Sequence, residues 1–435
     1  MRGVVGARAG ALRVPGGFAV FWTARTLSWA GTGISGVVVP VLVYDRTGSP
    51  ALTSLLAAAE AVPYLALGLP AGAVADRFGR RGLMVGCDLC CTALIGSIPV
   101  ASALGGLTTG LMLLAALGAA TAFVFFDAAS FGAVPALAGR DRVAGAVSGL
   151  SASSAVTSMI APAAAGGLLA VLAPAQAVAA DAVSYLASAA LLACIRRPFE
   201  LPDPAGRPRL TLHGMLEGAR FLWRQPMLRA MTVLAGTPVS VTGGAATGLI
   251  VIYAVRALGL ARTDPRIGLL YSAGAAGSAA AALTLPRVRR RVRAGLVTLA
   301  FLALDAAALA WVALAPGFAV ALAALACWMF CYSMVTINGI TLRQELTPDR
   351  LQSRVNTTAR MLGWGGYPFG ALIGGGLASV LPVRVTLLVM CARRWPRRPR
   401  RGCAPRCAAR PGYAARPGYA AGPRSAAGDS RAPIS

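Results

Sequence analysis

Several ionisable side chains in this sequence stand where they are costly. Glu60 lies in an apolar run, flanked by Leu55, Leu56, Ala57, Ala58, Ala59, Ala61 and Val62, and Asp305 lies in another. Charged groups inside a membrane-length apolar segment are expensive, and they mark ion or substrate pathways. A carboxyl group in such surroundings is suited to taking up and releasing a proton. Glu60 is the first candidate for that coupling role and Asp305 the second. Asp88, Asp127 and Asp181 fall nearer the ends of their runs, where the expected uses are pairing with a local arginine or capping a helix. Arg25, early in the first run, either lines a cavity and meets an anionic group or extends its guanidinium to the surface, and the second is slightly favoured. Arg25, Asp181 and Arg343 are the candidates for a cavity or interface.

Other chemistry has little to build on. Cys87 and Cys90 have CxxC spacing, but they sit in an apolar run, where cysteine behaves as a small hydrophobe. His213 is the only histidine, so histidine metal sites and Ser–His triads have almost nothing to draw on. No Gly-x-Ser-x-Gly elbow occurs. The expectation is no enzyme, no catalytic residue, no metal and no bound cofactor.

The elements that must position these residues follow from composition. Of the 435 residues, 57% are hydrophobic and 13% charged, more apolar surface than a water-soluble domain can hide. A bilayer accepts it, at about 20 apolar residues per spanning helix. Spans are expected at 18–44, 51–74, 82–103, 110–133, 144–172, 175–195, 230–255, 266–286, 294–315, 317–341 and 359–382, eleven in all. The run beginning near Phe18 is full spanning length and has no convincing cleavage site, so it reads as the first span.

The net charge of +26 comes with 41 basic residues, every one an arginine, placed between the apolar runs rather than along one soluble face. That placement argues against a nucleic-acid partner and for membrane topology. With the N-terminus in the cytoplasm, 25 arginines fall on the cytoplasmic side and five in the opposite loops, the remaining eleven lying in the final tail. This is a strong positive-inside bias. Four segments are expected: a membrane half over 1–195, a cytoplasmic connector over 196–229, a second half over 230–391 with its last helix incomplete, and a disordered Arg-, Pro- and Ala-rich tail over 392–435. Within the connector, Leu212, Met215, Leu216, Ala219, Leu222 and Trp223 recur at helical spacing, as in an amphipathic helix on the membrane face or in a simple linker.

After the second span stands Gly72-x-x-x-Asp76-Arg77-x-Gly79-Arg80-Arg81. Its glycines suit a tight turn, Asp76 suits a neighbouring helix N-terminus, and the arginines suit lipid headgroups. The motif resembles the loop 2–3 signature of the major facilitator superfamily. Further stretches look like the enterobactin-exporter-like branch of its drug:proton antiporters. They are Phe21-Trp22-x-Ala24-Arg25-Thr26-Leu27-Ser28, Tyr44-x-x-Thr47-Gly48-Ser49-Pro50, Asp181-Ala182-Val183-Ser184-Tyr185 and, near the end, Gly365-x-x-Pro368-x-Gly370. Ala161-Pro162-Ala-Ala-Ala-Gly166-Gly167 looks like an antiporter motif with alanine in place of its first glycine. Generic helix packing would also use these small residues.

The resemblance implies an all-α membrane protein of the major facilitator fold, two six-helix halves around a central cavity. It implies that Gly72, Asp76, Arg77, Gly79, Arg80 and Arg81 form a conformational latch, and that the Pro162, Gly166 and Gly167 kink biases the cavity. The implied function is proton-coupled efflux of a small amphipathic compound, drug- or siderophore-like, by a monomer in the inner (plasma) membrane. Its partners would be substrate, protons and lipids. The chain departs from the pattern at its twelfth span: from Val383 about nine residues pass, interrupted by Arg384, before the arginine- and proline-rich tail. Such a tail is what a GC-rich gene gives when read out of frame, or it is a basic segment for anionic lipid. The alternatives are a truncated, non-transporting membrane protein, or an importer or lysophospholipid transporter of the same fold.

Overall fold

The computed structural model describes residues 16–139, 142–196, 199, 219–233, 237–348 and 352–392. Each expected span is helical over most of its described residues, and no strand occurs among them. In hydrocarbon every backbone N–H and C=O must be satisfied within the segment, and a helix does this. The first helices are Gly16–Thr47 (α1), Pro50–Arg77 (α2), Arg80–Ala103 (α3), Thr109–Ala138 (α4), Val143–Val171 (α5) and Pro174–Cys194 (α6). Then come the short Pro226–Met231 (α7), Thr237–Gly248 (α8), Ile250–Arg256 (α9), Arg266–Arg289 (α10) and Ala294–Leu314 (α11). Phe318–Leu346 (α12), Gln352–Val380 (α13) and Val383–Ala392 (α14) complete the set.

Among the described residues, nine helices are long and apolar enough to cross a membrane, and α8 with α9 makes a tenth, bent by 49°. The sequence suggests one continuous span there. The break falls just after Gly248, in a stretch of glycine and threonine with low helix propensity. The α14 helix is ten residues long, with Val383, Thr386, Leu387 and Met390 buried at helical spacing, and it packs on α11 and α13.

Local chemistry sets the turns. Between α1 and α2, Gly48 adopts φ 61°, the left-handed conformation glycine enters without strain, and its N–H bonds Tyr44 O at 2.8 Å. Ser49 then caps α2, its hydroxyl accepting from Leu52 N at 3.3 Å, and Pro50 takes the first helical position. The connector departs from the expectation of one amphipathic helix. Its described part is helical to Arg224, breaks at Gln225, and restarts at Pro226, which fits a first turn but not a helix interior. Leu222 and Leu228 are buried against Val355 and Ala359 of α13 rather than facing lipid. Leu212, Met215 and Leu216 lie outside the described residues.

The first six helices pack through α1 on α5 and α6, α2 on α4, and α3 on α4 and α6. The later ones pack through α8 on α13, and α12 on α10 and α11. The two sets meet where α2 lies on α13 and α5 on α10. Backbones touch at these crossings, because membrane helices associate closely where residues are small. A methyl group built on Gly268 of α10 would overlap the Pro162 carbonyl oxygen, and one on Gly166 would overlap the Pro265 carbonyl oxygen. Nothing lies within 4 Å of the equivalent position on Gly167. Gly268→Val should therefore cost about 1–3 kcal/mol through overpacking, lowering the thermal unfolding midpoint in detergent. Gly167→Ala should leave that midpoint unchanged or raise it.

Candidate transport site

An internal cavity of about 210 Å³ is lined by Thr32, Ser35, Gly36 and Val39 of α1, Glu60 of α2, Ile95 and Ile98 of α3, Ala116, Ala119, Ala120 and Phe123 of α4, and Asp181 and Tyr185 of α6. Small residues on α1 and α4 leave the space. Glu60 is exposed to it. From the later helices, Tyr271 of α10 and Tyr367 of α13 lie within electrostatic reach of Glu60, so this carboxyl stands where the two helix sets meet. On another wall Asp181 is 1% exposed and accepts from the Ser184 hydroxyl at 3.3 Å, while the Tyr185 and Thr32 hydroxyls are 2.9 Å apart. Asp181 thus lines the cavity rather than capping a helix end. Asp305 is fully buried in α11 and is not among the cavity-lining residues, so the two coupling candidates are not brought together. Arg343 falls in the last turn of α12.

Arg25 does not reach the surface. It is 5% exposed, and its Nη2 donates to Asp127 Oδ1 of α4 at 2.8 Å. Trp29, Phe123 and Phe126 lie within 4.7–5.6 Å of the guanidinium carbon, cation–π contacts that surround it with aromatic faces. The Tyr64 hydroxyl of α2 donates to the other Asp127 oxygen at 3.1 Å. The surface reading fails because α4 runs to Ala138 and places Asp127 three turns inside, opposite Arg25. Asp88 of α3 is also buried, at 2%, within electrostatic reach of Arg25 and beside Ser188.

The loop 2–3 arginines are tied to protein. Arg80 is 5% exposed and donates to Gly132 O of α4 at 2.8 Å and Phe199 O at 3.3 Å, while Arg81 donates to Ala193 O of α6. Arg80 is buried against these carbonyls, so the headgroup expectation is corrected for it, whereas Arg81 stays exposed beside the carbonyl in the last turn of α6. Arg77 is exposed at the end of α2. Gly79 has φ −55°, open to any residue, so the turn does not need its freedom. Gly72 and Asp76 fall in the last turns of α2, and their side-chain surroundings lie outside the described residues.

At the end of the bundle where α1 meets α2, the two helix sets are laced together. Arg256 Nε donates to the Tyr44 hydroxyl at 3.0 Å and its Nη1 to Ala378 O at 2.9 Å. Arg262 donates to Asp45 O at 2.9 Å and lies 5.7 Å from the Tyr44 ring centroid. Ser54 Oγ donates to Gly248 O at 3.3 Å. Nearby, Arg266 donates to Asp264 and holds its carboxyl below the usual carboxylate range. This clamp flanks Pro265, whose carbonyl rests on Gly166.

Apolar helices wrapped around a charged interior and an internal cavity define a multi-span membrane transporter of small molecules rather than an enzyme. The sequence model of the Major Facilitator Superfamily matches residues 21–371. The chain belongs to that superfamily. It is 26% identical over 373 residues to the multidrug efflux pump Tap of Mycolicibacterium fortuitum, covering 83% of this chain and 89% of the pump. It is 28% identical over 376 residues to the enterobactin exporter EntS of Salmonella choleraesuis (strain SC-B67), covering 84% and 86%. Among solved structures, a bacterial homolog of the human lysosomal transporter Spinster, inward-facing and unoccupied, superposes with a TM-score of 0.67 at 15% identity, covering 87% of this chain and 91% of that one. A bacterial homologue of the iron transporter ferroportin, inward-facing, gives 0.66 at 16% identity, covering 87% and 96%. At such identities these two likenesses establish the fold.

Sequence reasoning missed Tyr64, Tyr271 and Tyr367, and placed Asp88 and Asp127 too near the membrane ends. Their signal was the rarity of charge in apolar runs, and the partners become visible only once helices are neighbours. Arg25→Gln would leave Asp127 as a buried carboxylate without its counter-charge. The expected cost is about 3 kcal/mol, read as a lower unfolding midpoint and folded yield, and adding Asp127→Asn should recover most of it.

Proposed function

We propose that this protein exports small amphipathic compounds in exchange for protons, as a monomer in the inner (plasma) membrane with its N-terminus in the cytoplasm. The observation that carries the reading is Glu60, a carboxyl exposed to an internal cavity and faced by tyrosines from the other helix set. Protonation there changes the charge at the junction that must open and close. The halves 1–195 and 230–391, joined by 196–229, would rock about the cavity in alternating access.

Orientation is supported by the arginines. Among the described cytoplasmic arginines, Arg25 and Arg80 are buried, and Arg81, Arg287 and Arg289 donate hydrogen bonds within the fold. Four of the five on the opposite side have structural uses: Arg256, Arg262, Arg266 and Arg384 all donate hydrogen bonds within the fold. With that orientation the laced end is the outer one, which fits a likeness to the inward-facing Spinster and ferroportin homologues. Export fits the efflux pump and siderophore exporter relatives. A second reading, a membrane protein that does not transport, is favoured by α14, whose ten residues rise about 15 Å against a core of ~30 Å.

In liposomes carrying the purified protein and a fluorescent amphipathic cation, an imposed pH gradient should drive accumulation. Glu60→Gln should still carry the compound down its own gradient but ignore the pH gradient. Gradient-driven accumulation by Glu60→Gln would remove Glu60 from the coupling role. Absence of any movement by correctly inserted protein would favour the second reading.

A further inference from the structure

The first six helices enclose more acid than the Glu60 proposal uses. Arg25 binds Asp127 through Nη2, and its Nη1 is buried without a hydrogen-bond partner. Asp88 is 2% exposed with Oδ2 unpartnered, and Ser188 is fully buried with Oγ unpartnered. Arg25 and Ser188 are the polar neighbours of Asp88. Also facing Asp88 are Tyr185 of α6 and, on its own helix, Cys87 and Cys91, the latter within reach of Asp181 and Cys90. Asp127 of α4 reaches it through Arg25. Two carboxylates thus lie within electrostatic reach of one guanidinium, which bonds only Asp127, in a pocket walled by Trp29, Phe123 and Phe126. Ionising both would leave an uncompensated negative charge in a low-dielectric interior, which proteins avoid by binding a proton.

We propose that Asp88 is a second proton-binding carboxyl, separate from Glu60, sharing Arg25 with Asp127. In the conformation described, Asp88 holds the proton and Arg25 pairs with Asp127. When the proton leaves to water, the Asp88 carboxylate competes for the free Nη1, and the guanidinium becomes shared between α3 and α4. Phe123 stacks on Arg25 and lines the Glu60 cavity, so displacement of the guanidinium reaches the substrate space directly.

Infrared difference spectra of the full chain in liposomes, recorded between acidic and alkaline pH, report protonated carboxyl groups through their C=O stretch. Asp88→Asn should lose one titrating band that Glu60→Gln and Asp127→Asn retain. Its transport should persist with a displaced pH profile, which a purely structural role would not produce. Asp88→Glu, which keeps the acid, should keep the band at a shifted frequency and should fold even where Asp88→Asn does not. A full set of bands in Asp88→Asn, or an unshifted band in Asp88→Glu, would overturn the proposal. Loss of the same band in Asp127→Asn would overturn it too, moving the proton to Asp127. Failure of Glu60 coupling would show in the gradient assay and leave the Asp88 band untouched.

Discussion

The Arg25–Asp127 ion pair constrains everything packed around it. Through one carboxylate it joins three helices: Arg25 of α1 on one oxygen, Tyr64 of α2 on the other, and Asp127 itself on α4. A buried pair of this kind adds little net stability, because desolvating both charges offsets their attraction, but losing one partner is severe. Its effect is therefore selective. Any slip of α1 along α4 that separates the charges strands both of them, with no bulk water in the hydrocarbon core to compensate. The aromatic rings around Arg25 and the alanines lining the cavity become positioned in consequence. The cavity exists where helices pinned at this point cannot close over small residues.

Close glycine contacts join the two helix sets, as they also join α8 to α13 at Gly370 and α10 to α12 at Gly277 within the later set. The crossing of α5 with α10 rests on glycine against backbone at Gly166 and Gly268, and that of α2 with α13 on Gly375 against the Ser54 side chain, with Arg256 and Arg262 adding hydrogen bonds at the laced end. Van der Waals contact of this sort is short in range and fades once backbones separate. Within a set, charge is buried and its loss is costly. Between sets, glycine contacts and hydrogen bonds form the junction that the proposed alternating cycle would have to break.

The helices were legible because spanning runs need only length and apolarity, whereas the Gly48-Ser49-Pro50 turn was legible only as a family likeness although each residue type has its own capping role. Gly166 was legible as a close-approach residue, while its neighbour Gly167 has the same sequence signal and no contact. Which face of a helix turns inward depends on neighbours far along the chain: Arg25 and Asp127 are 102 residues apart, and their pairing has no local signature. Span boundaries also misled. An α4 ending near residue 133 would put Asp127 close to the surface, whereas the helix continues to Ala138. Arg80 reads as an anchor for lipid until Gly132 O lies beside it.

One helix links these features. Along α1 stand Arg25, then Thr32, Ser35 and Gly36 on the cavity, then Tyr44 at the laced end. From Arg25 to Tyr44 is about 28 Å at 1.5 Å per residue. Pro40 interrupts that length. Lacking an N–H, it leaves the carbonyl of Gly36 without its helical bond and weakens the helix there. The weak point falls between the cavity and the Tyr44 contacts. Under the proposed cycle, release of Arg256 and Arg262 would require Tyr44 to move, and bending at Gly36–Pro40 supplies that movement. The Arg25 end, held by Asp127, need not leave its partners.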